Sequence, residues 1–310
     1  MFQAGRLKYF AAALVSVAMW GFFSIPLRNL KEYRSEDILY YRIFVSLIIT
    51  WLVILIFKRQ HFKNDISYIK LESKANQRKL LRLTLAAGVL ITGNWFSYIY
   101  AVNNVSLTSA AFAYMVCPLI TAMGGFFILK EELSNIKLTA IGIAVISILL
   151  LAKGSLTDVL WSVFIASLYG FYLIIQRVIV KIDKFNMLGV QLLISVFIML
   201  PFFIYHHTAF ITDAYFWINI IIIAVVFTII PLFLSLYALI GLPSSTMGII
   251  IYINPIVAFA VAFFYFHENI NTYQIYAYSL LLIAVLIFNW NIISGIFVKN
   301  YNKLKTVSQQ

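Results

Sequence analysis

At 310 residues, 63% hydrophobic and 11% charged, with a mean hydropathy of +0.95, the chain carries too few charges to clothe a water-soluble globule, which runs nearer a quarter charged. Its apolar residues come in runs approaching the roughly 20 needed to cross a bilayer, so the composition describes an integral membrane protein. The formal charge of +12 is what Lys- and Arg-rich cytoplasmic loops give such a protein and implies no nucleic acid, while the lone Cys117 excludes an internal disulfide and a Cys-based zinc site.

Taken in chain order, the apolar runs predict ten helices over 9–27, 37–57, 82–103, 107–129, 136–152, 156–176, 186–205, 215–239, 244–266 and 272–295. The first follows Arg6 and Lys8 as a signal peptide would, but it shows no A-x-A site and leads into further spans, so it reads as a retained helix. Ten spans put both termini on one side. With that side cytoplasmic, the inner segments hold 18 of the 23 Lys and Arg, the outer segments hold 4, and Arg42 lies within a helix. Eight of the inner cations fall in the basic loop 58–82. The asymmetry supports this orientation, and the loop reads as a topology anchor or a binding site for anionic lipid head groups.

The chain repeats itself. "PLITAMGGFFILKE", Pro118 to Glu131, is echoed 137 positions on by "PIVAFAVAFFYFHE", Pro255 to Glu268. "YAVNNVSLTSAA" from Tyr100 aligns with "YALIGLPSSTMG" from Tyr237 at the same offset, and "MWGFFSIPLR" aligns with "LYGFYLIIQR" at an offset of 149. Helices 1–5 therefore match helices 6–10. Five is odd, so the second copy enters the membrane from the opposite side, the inverted-topology repeat that many secondary transporters use for alternating access. The expected organisation is a first repeat over 1–153, a second over 154–298, and a cytoplasmic tail over 299–310. The fold expected is all-α, ten transmembrane helices as two inverted five-helix repeats.

Several of these stretches resemble a known family. "GNWFSYIYAVNN", Gly93 to Asn104, resembles the third-helix signature of RarD-type members of the EamA family in the drug/metabolite transporter superfamily. "AMWGFFSIPLR" resembles that family's first-helix Trp-Gly motif, and "YYRIFVS" its second-helix Arg. The stretches ending at Glu131 and Glu268 resemble its closing Gly-Glu pattern, except that the Gly is Lys130 in one copy and His267 in the other. The resemblance covers about 8–295. It implies two inverted five-helix repeats and transport or export of small metabolites across a plasma or bacterial inner membrane, with no substrate specified.

Transport needs a cavity, polar groups to hold a solute, and helices able to rearrange. Arg42, inside helix 2, is costly there unless it faces the interior or water; it either binds a carboxylate on an anionic or zwitterionic solute or snorkels outward toward Glu36 or Asp37. Its repeat partner is Gln191, so the charge belongs to one half. Asn94 and Asn254 lie mid-helix and serve either the pathway or interhelical bonding. Tyr98 shares a helix face with Asn94. Tyr114 and Tyr252 sit at similar depths in helices 4 and 9, as pathway or packing residues. Trp20, Trp95, Tyr169 and Tyr172 either line a pocket for an apolar or aromatic solute or pack. Gly93, Pro118, Pro231 and Pro255 weaken or kink their helices, Pro231 aligning with Asn94. Glu131 and Glu268 read as matched helix-end carboxylates on opposite faces.

All eleven Asp and Glu fall in loops or at helix ends, so no mid-membrane proton relay is evident. No Walker motif accompanies the chain, and neither H-E-x-x-H nor G-x-S-x-G points to an enzyme. The reading is a secondary transporter exporting or exchanging amino-acid-like, carboxylate-bearing or amphipathic drug-like solutes. The alternatives are a structural subunit of a membrane complex or, third, a membrane-embedded enzyme. The partners expected are a small-molecule solute and membrane lipids, with a homodimer left open. No cofactor, metal or nucleic acid is expected.

Overall fold

A computed structural model describes residues 6–104, 107–151, 156–206, 210–267 and 272–290; among them every regular element is helical. In lipid each backbone N–H and C=O must be satisfied within its own segment, which long apolar sequences achieve as helices. Six of the described stretches are long and apolar enough to cross a membrane, namely Arg6–Arg28, Glu36–Phe57, Lys74–Tyr98, Leu160–Val178, Lys184–Tyr205 and Ala214–Gly241, and Tyr114–Leu129, Asn135–Leu150 and Ser244–Ala258 are shorter apolar helices. Ile48, Leu52, Leu55, Leu81, Leu85, Leu149 and Phe197 are exposed, an exterior that a water-soluble monomer avoids and lipid covers.

The elements are α1 Arg6–Gly21, α2 Ser24–Arg28, α3 Ser35–Phe57, α4 Arg59–Leu71, α5 Lys74–Asn104, α6 Leu107–Leu129, α7 Asn135–Leu151, α8 Leu156–Val178, α9 Lys184–His206, α10 Ala214–Ala224, α11 Ile230–Gly241, α12 Ser244–Ile250, α13 Ile253–Phe264 and α14 Thr272–Phe288. Three of the predicted helices are broken within the bundle. The first splits at Phe22 and Phe23. The eighth carries a π-turn at Val225–Ile229 just before Pro231, and the ninth is interrupted at Ile251 and Tyr252. Pro118 sits inside an unbroken α6.

Helix pairs pack as α6 with α8, α1 with α13, α5 with α8, α1 with α11, α5 with α9, α3 with α10, α3 with α9, and α7 with α14. Small residues permit the closest crossings. A Cβ on Gly21 would collide with Val257, one on Gly88 would lie 2.6 Å from Ile194, and one on Gly248 2.7 Å from Thr121. The largest buried side chains, Tyr172, Tyr252, Phe216, Leu39 and Ile43, fill the interior.

The segment 58–82 departs from its reading as a loop. Residues 59–71 form α4, and α5 begins at Lys74, eight residues before the predicted start. Phe62, Asp65, Tyr68 and Ile69 are the half-buried side of α4, while Arg59, Lys63 and Lys70 stay exposed. Lys58 pairs with Asp183 at 2.7 Å, and Asp65 accepts from Asn186 and from the Asp183 backbone N–H. Polar docking of α4 onto the α8–α9 connection orders what composition alone presents as a charged linker. The bundle end carrying this segment is called the basic face below.

Among the described residues, two other than glycine have left-handed backbones, Lys130 with φ 57° and His267 with φ 53°. Lys130 directly follows α6, where glycine ordinarily makes the left-handed turn, and His267 comes three residues after the end of α13. They are also the two positions of the 137-residue repeat where the resembling family has Gly.

Candidate functional site

Within the bundle is a cavity of about 450 Å³. Its lining comes from the end of α1 with α2 (Trp20, Phe23, Ser24, Arg28), the early turns of α3 (Leu39, Arg42), the last third of α5 (Asn94, Trp95, Tyr98), the start of α6 (Tyr114, Met115), Tyr169 of α8, Phe227, Thr228 and Leu232 around the π-turn, and Asn254, Pro255 and Ala258 of the ninth predicted helix. These positions lie in the half of the bundle away from the basic face. No acidic side chain is among the described lining residues.

Arg42 supplies the cavity's interior charge. Its guanidinium carbon stands 5.5 Å from the Trp95 ring and 5.8 Å from the Phe23 ring, a cation–π setting. Its Nε is buried without a hydrogen-bond partner. Glu36, offered by the sequence as a snorkelling partner, instead approaches Arg34 at 3.8 Å. Arg28 lines the cavity with its guanidinium 3.8 Å from the Phe266 ring. Gln191, the repeat partner of Arg42, accepts a 3.1 Å bond from Tyr172 instead of facing the cavity.

The polar lining is held by bonds that cross the bundle. Asn94 donates to the Ile165 carbonyl at 2.9 Å, so it both borders the cavity and ties α5 to α8. Trp20 Nε1 donates at 3.1 Å to the Phe227 carbonyl. That carbonyl is four residues before Pro231, and proline lacks the N–H that would normally bond it. The indole thus satisfies the acceptor that Pro231 orphans. Tyr98 and Tyr114 rings meet at 5.4 Å, and Trp20 and Tyr169 at 6.0 Å.

Of the residues singled out from sequence, Arg42, Asn94, Trp95, Tyr98, Tyr114, Trp20, Tyr169, Asn254 and Pro255 converge on the cavity. Tyr252 does not; it is buried against Met115, Ala140, Ala144 and Phe288. Gly93, Pro118 and Pro231 also stand outside the lining, and Glu268 lies outside the described residues. Phe23, Phe227 and Thr228 line the cavity without having been singled out. The i−4 relation to Pro231 was the signal available for Phe227.

Glu131 is at the other end of the bundle. Its carboxylate accepts from the Ser244 backbone N–H at 2.7 Å, the Ser244 hydroxyl at 2.8 Å and the Ser245 backbone N–H at 2.9 Å. It therefore caps the first turn of α12, where unsatisfied N–H groups and the helix dipole favour an anion. A Cβ on Gly125 would lie 2.5 Å from Glu131 Oε2, so the bare backbone there makes room for the carboxylate. Arg177 donates to the Leu239 and Ile240 carbonyls at the end of α11, at 2.6 and 3.2 Å. Together these bonds tie α6 to α12 and α8 to α11 at the basic face.

Comparison with known proteins identifies relatives along the whole fold. The profile of the "EamA-like transporter family" matches residues 7–153 and again 156–290. "Uncharacterized transporter YojE" of Bacillus subtilis (strain 168) is 29% identical over 286 residues, spanning 89% of this chain and 92% of that protein. "Protein RarD" of Streptomyces exfoliatus is 28% identical over 282 residues, spanning 88% and 85%, and "Protein RarD" of Escherichia coli (strain K12) is 26% identical over 281 residues, spanning 89% and 92%. A solved protein crystal structure shares the fold with a TM-score of 0.71 at 10% identity, covering 90% of this chain and 95% of its own.

Proposed function

The chain belongs to the EamA-like transporter family, a multi-pass membrane transporter and not an enzyme, and from that premise we propose that it is a secondary carrier moving a small solute by alternating access through the Arg42 cavity. One observation carries the reading: a solute-sized cavity lies in one half of the bundle while Glu131 and Arg177 tie helices together at the other end. A carrier exposes its site to one side at a time, and this arrangement fits one such state.

The topology we propose has ten spans, formed by α1 with α2, α3, α5, α6, α7, α8, α9, α10 with α11, α12 with α13, and α14. Exchanging spans 1–5 with 6–10 turns the main packing pairs into one another: α6–α8 becomes the pair of α13 and α1, α5–α8 becomes α11–α1, and α5–α9 becomes α10–α3. The pairs α3–α9 and α7–α14 map onto themselves. This closure and the two left-handed turns at Lys130 and His267 support two inverted repeats, over 1–153 and 154–298. The Lys and Arg asymmetry supports a cytoplasmic basic face with both termini inside, in a plasma or bacterial inner membrane. The cavity is then the outward-facing side of an exporter or exchanger of amino-acid-like, carboxylate-bearing or amphipathic solutes.

The test is solute counterflow in reconstituted liposomes with a metabolite panel. Wild-type protein gives saturable, solute-specific flux, and Arg42→Gln lowers it at least tenfold at unchanged membrane abundance. Full transport by Arg42→Gln would remove the residue from the site. No flux across the panel would favour the structural-subunit reading.

A further inference from the structure

The cavity offers very unequal recognition to the solute classes a small-metabolite carrier could take. Its interior cation is Arg42, whose Nε is buried and unpartnered. A buried guanidinium without a counter-charge is costly, and a bound carboxylate relieves that cost with charge-assisted hydrogen bonds in fork geometry. Among the described lining residues an ammonium group finds no such reception. No carboxylate is among the described lining residues, and the acceptors available are neutral amide, hydroxyl and carbonyl oxygens. Arg42 also repels a cation placed beside it, so the aromatic walls cannot act as an ammonium cage. Those walls, Trp20, Trp95 and Tyr169 among them, provide flat apolar faces for a ring, and about 450 Å³ leaves ample room for a ring with a short acid arm.

We infer that the cavity is an anion site for a small monocarboxylate with an aromatic or apolar body and no ammonium group, and that it discriminates against α-amino acids and amines of the same shape. The inference rests on the carrier reading of the same cavity and narrows its substrate class. It also bears on energy coupling. Every acidic residue lies outside the proposed spans or within a first turn of one, so no mid-membrane carboxylate is placed to carry a compensating proton, and the solute crosses with its negative charge. An inside-negative potential then drives it outward, by a factor of about 50 per 100 mV.

Three compounds sharing one ring and differing in charge test this: 3-phenylpropionate, L-phenylalanine and phenethylamine. Thermal melting of the purified full chain at pH 8 reads binding to the native state. The expected order is a clear Tm rise with 3-phenylpropionate, an affinity at least tenfold weaker for L-phenylalanine, and no rise with phenethylamine. Arg42→Gln abolishes the rise with the carboxylate, and Arg42→Lys retains part of it. Should Arg42→Gln fail to fold, the wild-type order and a wild-type flux measurement decide. Proteoliposomes given a valinomycin potassium potential take up 3-phenylpropionate faster when their interior is positive. No stabilisation by the carboxylate, equal or greater stabilisation by L-phenylalanine or phenethylamine, or uptake indifferent to potential overturns the anion inference. Selective binding without any flux leaves the anion site standing and overturns the carrier. Flux of panel solutes without anion preference does the reverse.

Discussion

A single proline rearranges the chemistry around it. Pro231 cannot donate to the Phe227 carbonyl, so that acceptor needs a donor from elsewhere. Trp20 Nε1 takes the role at 3.1 Å, which fixes the indole at the cavity wall and ties α1 to the π-turn. Replacing Trp20 by Phe keeps a ring but strands the carbonyl, and an unsatisfied buried acceptor costs about 1–3 kcal/mol. Trp20→Phe therefore lowers the melting temperature in detergent, and a double mutant that also carries Pro231→Ala recovers part of the loss by restoring the backbone donor. An unchanged melting temperature in Trp20→Phe would remove the bond from the account. The cavity residues were largely legible in the sequence because intramembrane Arg and Asn are expensive, and an expensive residue marks a place with a polar or wet neighbour. Tyr252 fails that logic. Tyrosine is cheap to bury through its ring, so its depth in helix 9 did not fix whether it faced the cavity or the packed cluster around Met115 and Phe288.

Among the elements, turns and docking contacts were the least legible. Lys130 and His267 adopt φ 57° and 53°, where an L-residue pays roughly 1–2 kcal/mol against the ordinary right-handed region. Lys130→Gly and His267→Gly each remove that strain, and each raises stability by about 1 kcal/mol in equilibrium unfolding; destabilisation by either would contradict the left-handed assignment. Helix α4 escaped the reading because its sequence is polar and charged, and its order comes from contacts with residues more than a hundred positions away. Among them, burial alone would raise the Asp183 carboxyl, but the Lys58 ammonium and the backbone N–H groups of Asn186 and Phe185 outweigh it and hold the group below its ordinary value. Its contribution is present above the pKa of the unfolded chain and is lost as pH falls through the depressed folded value. Wild-type stability accordingly falls more steeply than that of Asp183→Asn below about pH 4, measured as melting temperature against pH; parallel curves would exclude the pair as a source of acid lability.

For the whole molecule, the decisive quantity is which ends share a face. The sole native thiol, Cys117, is buried, so a Cys117→Ala background leaves introduced cysteines as the reporters. Lys63→Cys and Lys31→Cys label from opposite sides of the membrane, Lys63→Cys from the cytoplasm. Lys130→Cys and His267→Cys likewise label from opposite sides, and same-side labelling of that second pair would end the inverted-repeat topology. The order of helices was readable because apolar length and charge bias are local properties of the chain. The cavity's position was not, since it depends on which small residues let α1, α6 and α13 close on one another. One asymmetry has a dynamic consequence. In the proposed topology the first half carries α4 between its second and third spans, docked through Lys58 and Asp65 onto the α8–α9 connection, whereas only a short segment joins α9 to α10. Exchanging the roles of the halves cannot recreate those contacts on the other face. Under the proposed alternating access, the two end states of the empty carrier are then unequal in free energy, and each 1.4 kcal/mol of difference makes a tenfold change in how its resting population divides between them.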